Sequence, residues 1–253
     1  MNSYPNFSII GITNIPEVTA DHNLASIIAA SAEQQGTPIQ NNDILVIAQK
    51  IVSKAEGLLI DLKTIEPSPF AKQIADQWDK DARHVEVVLR ESRRIVRMSN
   101  GILITETHHG FICANSGVDA SNLPGEDVVS PLPPDPDKSA TLIRDDLKKI
   151  SGHSIGVIIS DTFGRPWREG TTNIAIGIAG INPLIDYRGI FDIHGREMHV
   201  SISAIADEIA GATEIVMAKT SKIPAALLRG LKYDTTTHSI SEMIRPPEND
   251  LFR

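Results

Sequence analysis

The sequence predicts an α+β protein, a mixed arrangement and not a clean βαβ series, on three observations. Short, β-branched apolar runs at 43–48, 111–114 and 155–159 have the length and composition of buried strands. Segments with apolar residues three and four apart lie between them in no regular alternation. Neither a Gly-x-Gly-x-x-Gly turn nor a Walker A loop is present, so a nucleotide would bind outside the two common phosphate loops.

Taken in order, residues 23–35 carry Leu24, Ile27, Ile28 and Ala30 at helical spacing behind Asp21, a capping candidate, and Gly36 closes them. Residues 43–48 form a strand, and 49–56 a helical turn that puts Lys50 and Lys54 on one face. Residues 69–79 and 84–96 read as helices. A hairpin follows, with Ile104 in its first arm, His108-His109-Gly110 in its turn and residues 111–114 returning; Cys113 sits mid-run as a core residue. Residues 123–138 are dense in Pro, Gly and Asp, and Pro133-Pro134-Asp135-Pro136-Asp137 suits neither a helix interior nor a central strand. That stretch is expected as a long loop, the place where two lobes of one domain spanning 1–253 would join. Helical periodicity resumes over 139–150, and the strand at 155–159 leads to Asp161. The glycines of 174–180 predict close backbone approach, and 204–217 form another amphipathic helix. From 232 onward periodicity fades, and a partly mobile tail is expected.

Composition narrows the function. A chain of 253 residues with 41% hydrophobic content can bury a substantial core. A net charge of −8 without any Lys/Arg run argues against a nucleic-acid surface, so the expected partner is a small molecule. One cysteine excludes an intrachain disulfide. No apolar stretch reaches membrane-spanning length and the first residues lack a secretion signal, so a soluble cytoplasmic protein is expected.

Two acidic loops carry the candidate chemistry: Asn115-Ser116-Gly117-Val118-Asp119-Ala120-Ser121-Asn122 and Ser160-Asp161-Thr162-Phe163-Gly164-Arg165-Pro166-Trp167-Arg168. Each follows an apolar run, so Asp119 and Asp161 are expected in turns at strand ends. Carboxylates from separate loops are hard oxygen ligands suited to Mg²⁺ or Mn²⁺, and Thr162 adds a hydroxyl. Turn or helix capping is the plainer reading of each aspartate alone. Lys50 and Lys54 are either point charges for phosphates or a solvated helix face. Arg165 and Arg168 would stand beside the metal and anchor a carboxylate or phosphate, or else form a structural salt bridge. Trp167 reads as packing. His108, His109, His194 and His199 lack zinc-site spacing, and no Gly-x-Ser-x-Gly elbow supports a serine nucleophile.

The order of three segments is more specific than any one of them. Gln49-Lys50-Ile51-Val52-Ser53-Lys54-Ala55-Glu56-Gly57, then the Asp119 loop, then the Asp161 loop resemble the coenzyme F420-0:L-glutamate ligase family. Ala175-Ile176-Gly177-Ile178-Ala179-Gly180, Ala206-Asp207-Glu208-Ile209-Ala210 and Ile223-Pro224-Ala225-Ala226-Leu227-Leu228-Arg229-Gly230 extend the resemblance over about 15–230. It implies a family-specific α+β fold, an intertwined homodimer, and a GTP-dependent ligase that adds L-glutamate to coenzyme F420-0 through an acyl phosphate. It also implies Mg²⁺ or Mn²⁺, with K⁺ as a further cation. By position, Asp119, Asp161 and Thr162 match metal ligands. Asn14, Ile15, Pro16, Glu17, Gln49, Lys50, Lys54 and Asn122 match nucleotide contacts. Met217, Ala218, Lys219, Thr220, Ser221, Lys222 and Ile223 match a loop closing over the phosphates. That loop departs from the family's Met-Gly-Glu or Met-Gly-Lys and its glycine-rich acidic run, and the glycine-leucine pair before Asn14 is missing. The fused flavin-binding reductase-like domain of some members is not expected here. Two alternatives stay open: a nucleotide-binding protein without ligase activity, and the same chemistry on another carboxylate.

Overall fold

The structure, a computed structural model, describes residues 4–250. Along the chain come β1 (Ser8–Gly11), α1 (Leu24–Gln34), β2 (Ile44–Ala48), α2 (Gln49–Ala55), β3 (Ile60–Asp61), α3 (Pro69–Trp78) and α4 (Ala82–Arg90). Next are β4 (Ser92–Ser99), β5 (Ile102–Thr107), β6 (Ile112–Ala114), β7 (Val128–Val129), α5 (Pro136–Ser151), β8 (Gly156–Arg165) and β9 (Arg168–Ala179). The last are β10 (Ile185–Asp186), β11 (Ile202–Ser203), α6 (Ile205–Met217) and β12 (Ala225–Arg229). The mixed α/β class is as the sequence predicts.

The main sheet runs β1-β12-β2-β8-β9, with only β2 and β8 parallel. Ile44, Leu45, Val46, Ile47, Val157, Ile158 and Ile159 are fully buried, which explains why their runs are apolar without alternation. A second core, with Leu62, Ile74, Val85, Val88, Leu103 and Val129, belongs to the segment inserted between α2 and α5. The insertion returns to the main sheet through the proline-rich stretch, within which β7 pairs with β3 and Pro136 opens α5. Proline at a helix start loses no hydrogen bond, so α5 begins at Pro136, three residues before the expected start at 139.

Gly177 shows why glycine is required on β9: a Cβ there would lie 2.4 Å from that of Pro136. β9 is an edge strand, and two helix aspartates satisfy amides it would otherwise leave open. Asp207 accepts from the Ala175 amide at 2.9 Å, and Asp137 from that of Ile178 at 2.8 Å.

Four expectations are corrected. The cap of α1 is Asn23, whose side chain accepts from the Ser26 amide at 2.8 Å, whereas Asp21 occupies a left-handed turn. The helix expected over 84–96 stops at Arg90, because Ser92 Oγ takes the Val88 carbonyl and residues 92–99 pair with β5. Buried Glu106 on β5 draws Arg93 and Arg94 into that pairing. Residues 233–244 pack against the main core through individual anchors instead of a periodic face. Tyr233 donates to the Asp43 carbonyl at 3.2 Å, and Ile240 is buried, its amide on Asp137. Finally, β8 does not end at the second aspartate. Asp161, Thr162 and Phe163 continue the ladder with Ile174, Asn173 and Thr172, and the chain reverses only at Pro166-Trp167.

One ion pair ties the sheet together. Arg229 at the end of β12 donates through Nε and Nη2 to both oxygens of Asp43, at 2.9 and 2.7 Å, beside the start of β2. Asp43 is only 1% exposed, so removing the guanidinium would strand a buried carboxylate. Arg229→Met is expected to cost about 3 kcal/mol in urea unfolding; a loss under about 1 kcal/mol would contradict this account of the pair.

Candidate active site

β2 and β8 are neighbours running the same way, with Ala48 opposite Ser160, so whatever follows them meets at one edge. After β2 come Gln49, Lys50 and Lys54 on α2; after Ser160 come Asp161 and Thr162. Crevices beyond the carboxyl ends of parallel strands are the usual ligand sites of α/β sheets. A cavity of about 940 Å³ opens there, large enough for a nucleotide and more.

The insertion supplies the opposite wall. Residues 115–117 form a short 3-10 turn in which Asn115 and Ser116 both take positive φ, and Asp119 then bridges to Ser130. Ser116 is locked by Thr105, whose hydroxyl accepts from its amide at 2.9 Å. Asp119 thus enters the cavity from a turn, whereas Asp161 enters from a strand.

Lys50 Nζ bonds Asp119 Oδ2 at 2.6 Å and the Ser121 carbonyl and hydroxyl at 2.6 and 2.8 Å. One turn on, Lys54 is 2.5 Å from Glu17 Oε1 and 3.2 Å from the Asn122 carbonyl. The two lysines thereby draw the Asp119 loop and the 15–17 segment to one helix face. Gln49 is 1% exposed, and its Nε2 has no partner among the described residues.

Most positions singled out in the sequence line this one cavity: Ile15, Pro16, Glu17, Gln49, Lys50, Lys54, Asp119, Asn122, Asp161, Thr162, and Met217, Ala218, Lys219, Thr220, Lys222 and Ile223. Asn14 and Ser221 are not on its wall. Asn14 makes a left-handed turn before the lining residues, and Ser221 Oγ bonds the Met217 carbonyl at the end of α6. Arg165 and Arg168 are also not on its wall, because the β8–β9 hairpin carries them out toward its tip. Arg165 bonds the Glu169 and Gly170 carbonyls there. Trp167 is 79% exposed at the hairpin tip and is not the packing residue expected. Cys113 is buried, and burial with the charge of Asp161 pushes its thiol up to about 12, which leaves it unreactive.

Asn173 and Glu214 also line the cavity and were missed from sequence. Asn173 is opposite Thr162 in the ladder and accepts from its hydroxyl at 2.7 Å; its Nδ2 donates to Glu214 at 2.7 Å. Glu214 reads as one polar residue of an amphipathic helix, and only its place one turn before Met217 hinted at more.

The family profile of the F420-0:Gamma-glutamyl ligases matches residues 12–230, which contain every cavity-lining residue named above. The chain belongs to that family. A protein of Methanothermobacter thermautotrophicus named coenzyme F420:L-glutamate ligase is 41% identical over 249 residues, covering 97% of this chain and 98% of its own length. One of the same name from Methanopyrus kandleri is 44% identical over 258 residues, with both chains covered completely. A third, from Methanocaldococcus jannaschii, is 43% identical over 232 residues, 91% of this chain and 90% of its own.

In this member of the ligase family the electrostatics of the cavity are uneven. Burial, and the charge of Asp119 nearby, push the Asp161 carboxyl up to about 6 against the pull of the Thr162 amide, Lys50 and Lys219. Burial acts the same way on Asp119, but Lys50 and the Ser121 amide overcome it and hold that carboxyl below its ordinary value. Among the described residues Asp161 has no ion pair like that of Asp119 with Lys50. An all-oxygen set of two carboxylates and a hydroxyl fits a hard divalent ion, which would relieve that deficit. Among the described residues no three His, Cys, Asp or Glu side chains form a closed cage, so such an ion would keep places for water and phosphate oxygens.

A raised carboxyl pKa penalises the folded state only where the group ionises. The penalty is absent below the unfolded value near 3.8, grows through about 6 and is complete above it. Without metal, Asp161→Asn is expected to match the wild type in thermal stability near pH 4. Near pH 7.5 it should exceed the wild type by up to about 3 kcal/mol. Curves that stay parallel across that range would contradict the assignment.

Proposed function

We propose that the protein is a GTP- and divalent-metal-dependent ligase that joins L-glutamate to coenzyme F420-0 through an acyl phosphate. The observation that carries the reading is the convergence of Asp119, Asp161 and Thr162 with Lys50, Lys54 and Lys222 on one cavity. The names of the relatives, coenzyme F420:L-glutamate ligase, supply the substrate class.

The chemistry asks little of a protein nucleophile. A substrate carboxylate oxygen attacks the γ-phosphorus, GDP departs, and the acyl phosphate meets the glutamate amine, which displaces phosphate to form the amide. Catalysis is then positioning and charge neutralisation. Asp119, Asp161 and Thr162 would hold Mg²⁺ or Mn²⁺, which when bound supplies Lewis-acid neutralisation of phosphate oxygens. Lys50, which bonds Asp119 here, would be the cation nearest that carboxylate available to a phosphate oxygen. Lys54 keeps the 15–17 and 122 segments facing each other around the nucleotide. Gln49 Nε2, without a partner among the described residues, is free to donate to a ligand that reaches it. Since Arg165 and Arg168 are not on the cavity wall of one chain, anchoring of the glutamate carboxylates falls to other cations on it.

Purified protein with GTP, Mg²⁺, L-glutamate and F420-0 is expected to release GDP and phosphate in step with a product heavier by one glutamyl residue. Asp119→Asn should lower kcat/KM by at least about 100-fold, the loss expected when a metal ligand is removed. GTP binding without product, or full activity in the variant, would overturn the reading.

The homodimer also belongs to this proposal. Between β10 and β11 the chain exposes Ile190, Phe191, Ile193 and Val200, with Ile193 96% and Val200 88% exposed. A second copy of the chain would cover such an apolar arm. Light scattering should give twice the 27.5 kDa chain mass, and Ile193→Asp with Val200→Asp should halve it; a wild-type monomer would contradict the proposal.

A further inference from the structure

Behind the two aspartates lies a cation that a single divalent ion does not explain. Thr162 gives its only hydroxyl proton to Asn173 Oδ1 at 2.7 Å, so its lone pairs face outward as acceptors. Asn173 Nδ2 donates to Glu214 Oε2 and fixes that carboxylate on α6. Lys219 reaches in from the rim: Nζ donates to Thr162 Oγ1 and lies 3.5 Å from Glu214 Oε1. Asp119 and Asp161 supply the two charges a divalent ion needs. Glu214 is a third carboxylate on the same cavity, from another element, and its counter-charge is Lys219. Ala218 takes φ 41° and ψ 161°, a conformation that suits glycine, and this bend starts the loop that carries Lys219 back over the strand.

An ammonium group and a potassium ion have the same charge and nearly the same size, and both sit comfortably among hydroxyl and carboxylate oxygens. We propose that Lys219 is a tethered monovalent cation. Its ammonium fills, between Thr162 and Glu214, the place that a mobile K⁺ or NH₄⁺ ion would otherwise take, so this chain binds nucleotide and divalent metal without a monovalent-ion requirement. The inference rests on the nucleotide–metal reading of the cavity. One lone pair of Thr162 serves the divalent ion and the other the ammonium.

The test compares wild type with Lys219→Met, which keeps an unbranched stem and removes the ammonium group. The readout is the rise in Tm produced by GDP with Mn²⁺ in tetramethylammonium, potassium or ammonium chloride at equal ionic strength. The wild-type rise should be the same in all three salts. The variant's rise should be smaller in tetramethylammonium, with K⁺ or NH₄⁺ restoring about 2–4 °C. Lys219→Arg, which keeps the charge, should stay indifferent to salt, and Lys219→Gln provides a second neutral variant should the methionine disturb folding. A wild type that K⁺ stabilises as strongly as the variant overturns the proposal. So does a neutral variant indifferent to the salt, whether its rise is normal or uniformly reduced, the latter marking Lys219 as a phosphate anchor. Absence of any GDP–Mn²⁺ effect on the wild type would overturn the nucleotide–metal reading as well, and that outcome is distinct from the other two.

Discussion

Two half-buried carboxylates face one cavity, and the rest of the site answers the charge they bring there. Asp119 is paired with Lys50, whereas burial first, and the charge of Asp119 second, raise the pKa of Asp161. A protein that needed only stability would replace Asp161 with a neutral residue. Keeping it makes sense where a divalent cation and an anionic ligand complete the charge balance, and the lysines around the cavity are matched to that exchange.

The fold delivers this arrangement economically. Only one strand pair in the main sheet is parallel, and that pair brings the start of α2 and the Asp161–Thr162 segment to a common edge. The inserted second core then needs only to present one turn, residues 115–122, across the gap. Its rigidity comes from local devices: left-handed residues at 115 and 116, the Thr105–Ser116 hydrogen bonds, and the bridge of Asp119 to Ser130. The sheet itself is fastened at the opposite end of β2 by Asp43 and Arg229, away from the cavity.

Much of this was legible in the residues. The buried strands showed themselves as unbroken β-branched runs, and α3, α5 and α6 as periodic segments with Pro or an apolar stripe to mark them. Metal and phosphate candidates were visible because carboxylates and lysines followed those runs. What escaped depended on pairing across the chain. Residues 92–99 have the charges of a helix face, and only β5 with Glu106 makes them a strand. Asp161 resembles a turn residue, and only the partner strand β9 shows that the ladder continues through it to Pro166. The same continuation carries Arg165 and Arg168 off the cavity wall and brings in Asn173, a residue without any local signal. Glu214 was hidden by being polar on an amphipathic helix, where polar residues are ordinary.

The most direct test of a shared cation is a double-mutant cycle on Mn²⁺ affinity with GDP present, using Asp119→Asn, Asp161→Asn and both together. If one ion is held between the two carboxylates, each single change should weaken binding by about 10-fold or more, and the double variant should lose far less than the product of the two. Losses that simply multiply, or an Asp161→Asn variant that binds Mn²⁺ as the wild type does, would contradict the account.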